Sequence, residues 1–427
     1  MTAREVESVV VRFSRTVVSA FAVTLMVSSA AAVCSAGTDA QVAEWTVLVY
    51  LDGDNNLDKY SVTDVEEMMG VGSTEKVKVL VLWDRLDAPV YLYEVHPDGL
   101  DVISGLTVND IELNGEEVHM ANPAILDAFV DFGTAMYPSE HLMVVLWDHG
   151  SPLYGVCRDD HFDYPWYPFQ SYLSYEDVGY ALMGHEVDVL AFDSCSGGMA
   201  EIAYLYGQMG AYQGLEVDHI VASEIYVPAF GYPYDRILLQ MNSMPVYSEV
   251  VDVATMIAEE YADSYIAGSP GNGGNTASLS VISPGGMFDS IDAVKDLTAL
   301  LQTRLETDYD TYKPLISEAR GDANLIWGVA GDYGFVDFPM FLKGLSKTPG
   351  DKELRASANA LLTTLQTEVV LYVGNADAAE SGTAMGLGVL FPPTYVNNEY
   401  PVIYMEVFFD FGRESGWLDF TEAYWST

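Results

Sequence analysis

The sequence predicts a doubly wound α/β fold: a mostly parallel sheet flanked by helices, followed by a helix-rich C-terminal extension. Three observations predict it. Runs such as Val47-Leu48-Val49 and residues 143–147 are apolar without interruption, as in strands buried on both faces. These runs alternate with stretches of helical spacing from residue 44 to residue 223. Hydrophobic residues make up 50% of the 427, enough for a sizeable core and against global disorder.

The first core strand covers residues 44–51 and runs into the turn Asp52-Gly53-Asp54-Asn55-Asn56. Helical spacing follows over 57–69, then a second strand over 77–83. Residues 88–95 and 100–104 read as a hairpin over the sheet edge. An amphipathic helix over 123–137 leads into strand 143–147, which ends in Asp148-His149-Gly150. Residues 151–173 are rich in Tyr, Pro and Asp and show no period; connections this long are usually functional lids or processing segments. Ser174-Tyr175-Glu176-Asp177 resembles a capping box and predicts a helix to residue 183. Strand 187–192 leads to Asp193 and Cys195, after which small residues open a helix; another strand covers 220–223. Beyond residue 235 the pattern turns helical, over 247–266, 287–305, 335–345 and 352–370, with returning strands at 276–282 and 385–391. The Gly-rich stretch 268–274 is the clearest linker. The expected organisation is therefore a leader over 1–36, a main domain over 37–267 and a C-terminal region over 268–427.

Acidic residues outnumber basic ones, 63 to 18, for a formal charge of −45. Phosphates would be repelled, which excludes nucleic acid and anionic membrane as partners and favours basic peptides or cations. A solvated acidic surface reads the charge equally well. Arg4, Arg12 and Arg15 precede an apolar run that ends in Ala30-Ala31-Ala32, the order of a secretory signal, with an uncleaved anchor as the alternative. A secreted or cell-surface location follows. Cys34, Cys157 and Cys195 are too few for a disulfide-built domain. Cys157 and Cys195 are either free thiols or a single bridge.

Chemistry concentrates at two strand tips. Parallel α/β sheets place their sites at the carboxyl ends of strands, and Cys195 and His149 both stand there. A thiol beside a helix N-terminus and an imidazolium has a lowered pKa and becomes a nucleophile, so a reactive Cys195 is expected. No Cys/His spacing supports zinc, and no Gly-rich phosphate loop follows a strand. Asp52-Gly53-Asp54-Asn55-Asn56 offers oxygens at alternate positions, as calcium prefers, but lacks the closing Glu of an EF-hand loop.

Residues 193–201, D-S-C-S-G-G-M-A-E, resemble the nucleophile segment of the clostripain-like cysteine peptidases, and D-H-G at 148–150 resembles their His segment. W-T-V-L-V-Y-L-D-G-D-N-N-L at 45–57 is similar to the family's opening strand, Ala222-Ser223-Glu224 to a later one, and 386–392 to a weaker C-terminal motif. The resemblance implies a caspase-like sheet and a secreted cysteine endopeptidase that cuts after Arg or Lys through an acyl-enzyme on Cys195, with His149 as its partner. His149 lies 46 residues before Cys195, an order and spacing that also resemble the caspases, whose His precedes the Cys by about 50. It further implies an oxyanion site at the backbone amides of Gly150 and Cys195. Asp193 would sit in the pocket for a basic side chain, or else cap the next helix. Arg158, the basic residue between His149 and Cys195, is either a self-cleavage point or a plain surface charge. No cofactor is required for the chemistry; Ca²⁺ is a candidate ion by resemblance, without named ligands. Partners would be polypeptides carrying basic residues, with no nucleic acid and no membrane beyond the leader or an N-terminal anchor.

The chain departs from the family pattern at Ser151-Pro152, at Ser196-Gly197 and at Ile225, positions that line and lid such a site. Two rival readings follow: a non-catalytic acidic surface or binding protein on this fold, and a same-clan peptidase with another preference.

Overall fold

A computed structural model describes residues 42–162, 170–266, 277–323, 334–376, 384–393 and 409–426. Among the described residues nine strands form one sheet. In chain order they are β1 (Ala43–Gly53), β2 (Val77–Arg85), β3 (Ala88–His96), β4 (Gly99–Val102), β5 (Ser139–Trp147), β6 (Glu186–Asp193), β7 (Glu216–Ala222), β8 (Ser278–Ile282) and β9 (Val370–Asn375). Their spatial order is β9-β8-β7-β6-β5-β1-β2-β3-β4. The inner strands β7, β6, β5, β1 and β2 are parallel, and antiparallel pairs finish both edges. The expected mostly parallel sheet flanked by helices is what the chain forms.

Every residue of β1 is buried, which explains its unbroken apolar run. Trp45, Val47, Val49 and Leu51 face one core with helices α1 (Asp58–Met69), α5 (Tyr234–Ser243) and α6 (Val250–Ser264). Leu48 and Tyr50 face the other, with α2 (Pro123–Met136), α3 (Tyr175–Ala181) and α4 (Ala200–Gln213). Side chains alternate across a strand, so one run feeds two cores. The chain leaves β1 towards β2 on one side and continues from β5 to β7 on the other. The reversal of strand order between β1 and β5 is the crevice where such folds place ligands.

Several expected boundaries move. The helix expected over 352–370 ends at Thr364, one π turn covers Leu365–Val369, and β9 begins at Val370. The run Val369-Val370-Leu371-Tyr372-Val373 is β-branched and aromatic, and pairing with β8 decides its state. The helix expected over 335–345 opens instead with the short strand Phe335–Asp337, paired with Gly388–Leu390. The helix expected over 287–305 divides at Ser290, with a short helix before it and Ile291–Thr307 after. Within 151–173 the pairs Gly150–Ser151, Gly155–Arg158 and Tyr172–Leu173 make a three-stranded sheet, so that segment is partly regular. Ser174 caps α3, its Oγ accepting from the Asp177 amide at 3.1 Å. The leader 1–36 and the linker 268–274 lie outside the described residues. Strands on both sides of that linker, β7 and β8, are neighbours in one sheet. No helix among the described residues is long and apolar enough to cross a membrane.

Candidate active site

The site begins with register. β5 and β6 are parallel, Trp147 opposite Asp193, so the two strands stop at the same level. The Asp148 amide continues the pairing to the Asp193 carbonyl at 3.3 Å. Gly150 then lies against the Cys195 backbone: a Cβ there would fall 2.4 Å from the Cys195 carbonyl oxygen and 3.0 Å from its nitrogen. Any larger residue would drive the two loops apart.

Cys195 and His149 line one cavity of about 220 Å³, together with Trp147, Asp193, Val227 and Gly231. They do not bond to each other. The Cys195 thiol donates to the Val227 carbonyl at 3.7 Å, and His149 Nε2 meets Asn56 Oδ1 at 2.8 Å. With the amide oxygen accepting there, Nε2 carries the proton and Nδ1 keeps its lone pair. Both thiols are free, which sets aside a bridge from Cys157 to Cys195.

The expected lowered thiol pKa is corrected by the structure. Burial pushes the Cys195 thiol up to about 11, with Asp193 and Asp148 adding to the rise. Burial, then the Arg158 charge, lowers His149. The pair therefore rests neutral near pH 7. The helix α4 starts at Ala200, five residues after Cys195. Between sulfur and helix lies a tight turn, with Ser196 at φ +57° and its amide donated to the Ile225 carbonyl at 2.9 Å. Gly198 donates to the Ser223 carbonyl at 2.8 Å.

Asp193 does not cap α4, whose N-cap is Met199. The Asp193 residue is 3% exposed, at the cavity wall. Oδ2 accepts from the Tyr232 amide at 3.0 Å and the Tyr234 hydroxyl at 2.9 Å, whereas Oδ1 is buried without a partner. Burial holds this carboxyl up at about 7 despite both hydrogen bonds. Gly231 must be Gly, at φ +56° with a Cβ position 2.7 Å from Asp193 Oδ2. Behind the wall, Trp147 Nε1 donates to Asp64 at 2.6 Å and the Tyr234 amide to Glu67 at 3.1 Å.

Asp148 organises the rim. Its Oδ1 accepts from Asn55 Nδ2 at 2.7 Å and its Oδ2 from the Arg158 amide. Arg158 is thereby held in its strand, its carbonyl accepting from Asn55 at 2.9 Å and its guanidinium 3.0 Å from Asp160. Asn55, Asn56, Tyr232 and Tyr234 escape a reading of the sequence for roles. The N-N pair after the first strand was the available signal, and the tyrosines offered none.

Residues 49–422 match the model of the clostripain family, peptidase family C11. Clostripain from Hathewaya histolytica is 27% identical over 220 residues, 45% of this chain and 41% of that protein, so the match spans less than half of that relative. A secreted C11 cysteine protease from Bacteroides thetaiotaomicron, solved with an irreversible peptide inhibitor, is similar at 18% identity and TM-score 0.62, covering 88% of this chain and 99% of that one. An inactive zymogen C11 protease from Parabacteroides distasonis gives 19% and 0.61, covering 88% and 98%. At these identities the two structures establish a common fold. With the family model matched across most of its length, the chain belongs to the clostripain family.

Proposed function

We propose that this chain is an exported cysteine endopeptidase that cleaves after Arg or Lys, with Cys195 as nucleophile and His149 as its base. One observation carries the reading: thiol, imidazole and a buried carboxylate with an unpartnered oxygen wall the same cavity. In this reading the thiol turns from Val227 towards His149 Nδ1 and gives up its proton as sulfur attacks the peptide carbonyl. The amides of Gly150 and Cys195 would receive the oxyanion. The imidazolium then protonates the leaving amine, and water, activated by the same ring, hydrolyses the thioester. These groups supply what acyl transfer needs, so Ca²⁺ enters as an accessory ion.

The substrate's guanidinium or ammonium would pair with Asp193, a charge-assisted bond. Support comes from clostripain-family membership and from the unpartnered Asp193 oxygen. Purified protein assayed on Arg, Lys, Asp and Asn reporter peptides tests this. Cleavage of Arg or Lys reporters that vanishes in Cys195→Ala is expected. Asp193→Asn should lower kcat/KM on the basic reporters by about 10- to 100-fold, the equivalent of one charged hydrogen bond. Equal cleavage of all four reporters would defeat the basic preference, and activity surviving in Cys195→Ala would defeat the mechanism.

Self-cleavage within 151–173, in the same proposal, falls after Arg158. That bond is held by Asp148 and Asn55, so the strand Gly155–Arg158 must first lift away. An Arg158→Ala chain should stay whole there on a denaturing gel. Export rests on the composition of residues 1–36 and is checked by sequencing the N-terminus of protein recovered outside the cell.

A further inference from the structure

The two oxygens of Asp193 are not equivalent. Oδ2 accepts two hydrogen bonds from the protein itself, from the Tyr232 amide at 3.0 Å and the Tyr234 hydroxyl at 2.9 Å. Oδ1 accepts none, although it is buried at the wall of the cavity that holds Cys195 and His149. Buried polar atoms are ordinarily hydrogen-bonded and buried charges paired, so Oδ1 is open to a donor from outside the chain. Apart from His149, which bonds to Asn56, no basic side chain among the described residues lines this cavity.

The segment that occupies Oδ2 is itself fastened. Tyr234 opens α5, where its amide donates to Glu67 at 3.1 Å. The Tyr232 hydroxyl lies 3.1 Å from the Phe192 carbonyl on β6 and 3.2 Å from the Val221 carbonyl on β7. Tyr265 donates its hydroxyl to the Gly231 carbonyl at 2.8 Å. Both donors to Oδ2 therefore sit on a fixed stretch of backbone, and a site group is held in one orientation when its supports are locked in this way. Oδ1 is the oxygen left for a ligand.

We propose that Tyr234 is a positioning residue that makes this pocket select Lys over Arg before the cleaved bond, by keeping Asp193 Oδ2 occupied and leaving Oδ1 alone to meet the substrate. The inference rests on the peptidase reading above and narrows it. A guanidinium pairs best through two parallel hydrogen bonds to both oxygens of a carboxylate, whereas an ammonium is a point charge that a single oxygen serves. Bound end-on, a guanidinium also leaves more N–H donors unmet than an ammonium does, and the facing walls include the apolar Leu57, Val227 and Ala229. Without the Tyr234 hydroxyl the carboxylate keeps one internal bond, from the Tyr232 amide, and is free to turn both oxygens towards a guanidinium.

The test measures kcat/KM of the full chain on two reporter peptides that differ only in Lys or Arg before the scissile bond. Assays run at pH 8, where a carboxyl held at about 7 is ionised. The wild type should favour Lys by about tenfold or more, the equivalent of one charged hydrogen bond. Tyr234→Phe should shift that ratio towards Arg by about tenfold. Partial unfolding scales both reporters together, so the ratio moves only if the hydroxyl sets the choice. A wild type that cuts the Arg reporter as well as the Lys reporter, or better, overturns the inference, as does an unchanged ratio in Tyr234→Phe. Cleavage of neither basic reporter defeats the peptidase reading itself, and the inference falls with it. Should Tyr234→Phe not fold, calorimetric titration of Cys195→Ala with the two reporters decides instead: the Lys peptide should bind more tightly, and equal or tighter binding of the Arg peptide overturns the selection.

Discussion

A thiol held at about 11 is a poor nucleophile until something takes its proton, and that single residue sets the expected pH behaviour. Cys195 lies in a half-buried turn, donates its S–H to a carbonyl, and has two carboxylates nearby that disfavour the thiolate. His149 is lowered, so it is neutral and able to accept a proton above its shifted value, below 6.5. The alkylation rate of Cys195 by iodoacetamide should therefore keep climbing from pH 7 to pH 10. A plateau reached near pH 6 would mean a preformed thiolate–imidazolium pair and would contradict the neutral resting state. Cys157 is fully buried and should contribute no label in Cys195→Ala.

Among elements, the turn carrying Cys195 is gripped from two sides. The end of β7 takes its amides through Ser223 and Ile225, and the segment 384–393 donates the Gly388 amide to the Gly198 carbonyl at 2.8 Å. Two buried glutamates hold that segment: Glu201 accepts the Leu390 amide at 2.8 Å and Glu224 the Gly386 amide at 2.9 Å. Trp417, fully buried on the C-terminal helix Trp417–Trp425, donates to the Leu390 carbonyl at 2.7 Å and packs against Phe338, Phe391 and Phe420. The C-terminal helices thus reach the nucleophile turn through one aromatic anchor. Trp417→Ala should cost about 3–5 kcal/mol in urea denaturation and lower kcat. Loss of stability below about 1 kcal/mol would show that the anchor is dispensable.

Over the whole molecule, a charge of −45 on a fold that also buries carboxylates makes stability depend on pH in one direction. Asp193, Glu201, Glu67 and Asp337 are each raised by burial to about 7. Unfolded, they titrate near 4. Between those values the folded chain holds protons that the unfolded chain has lost, so their contribution is full below about pH 4 and disappears as pH rises through 7. Asp351 works oppositely, because Arg304 holds its carboxyl low, but its effect lies below pH 4. With EDTA present, the melting temperature should rise as pH falls from 8 to 5.5, and added salt at pH 8 should raise it by screening repulsion. A melting temperature that falls over that pH range would contradict the burial of these acids.

The sequence by itself determined the strands buried on both faces, the mostly parallel sheet, and the two strand tips where His149 and Cys195 stand. Apolar periodicity and terminal small residues are local signals, and local signals survive without coordinates. Tertiary structure alone decided what surrounds those residues. Asn56 meets His149 from the turn after β1, 93 residues upstream, Tyr232 and Tyr234 come to Asp193 from about 40 residues downstream, and Glu201 meets Leu390 from the far end of the chain. The thiol's raised pKa has the same origin. A Cys before a helix looks activated along the chain, whereas its charge state is set by desolvation, and desolvation depends on what packs against it in space.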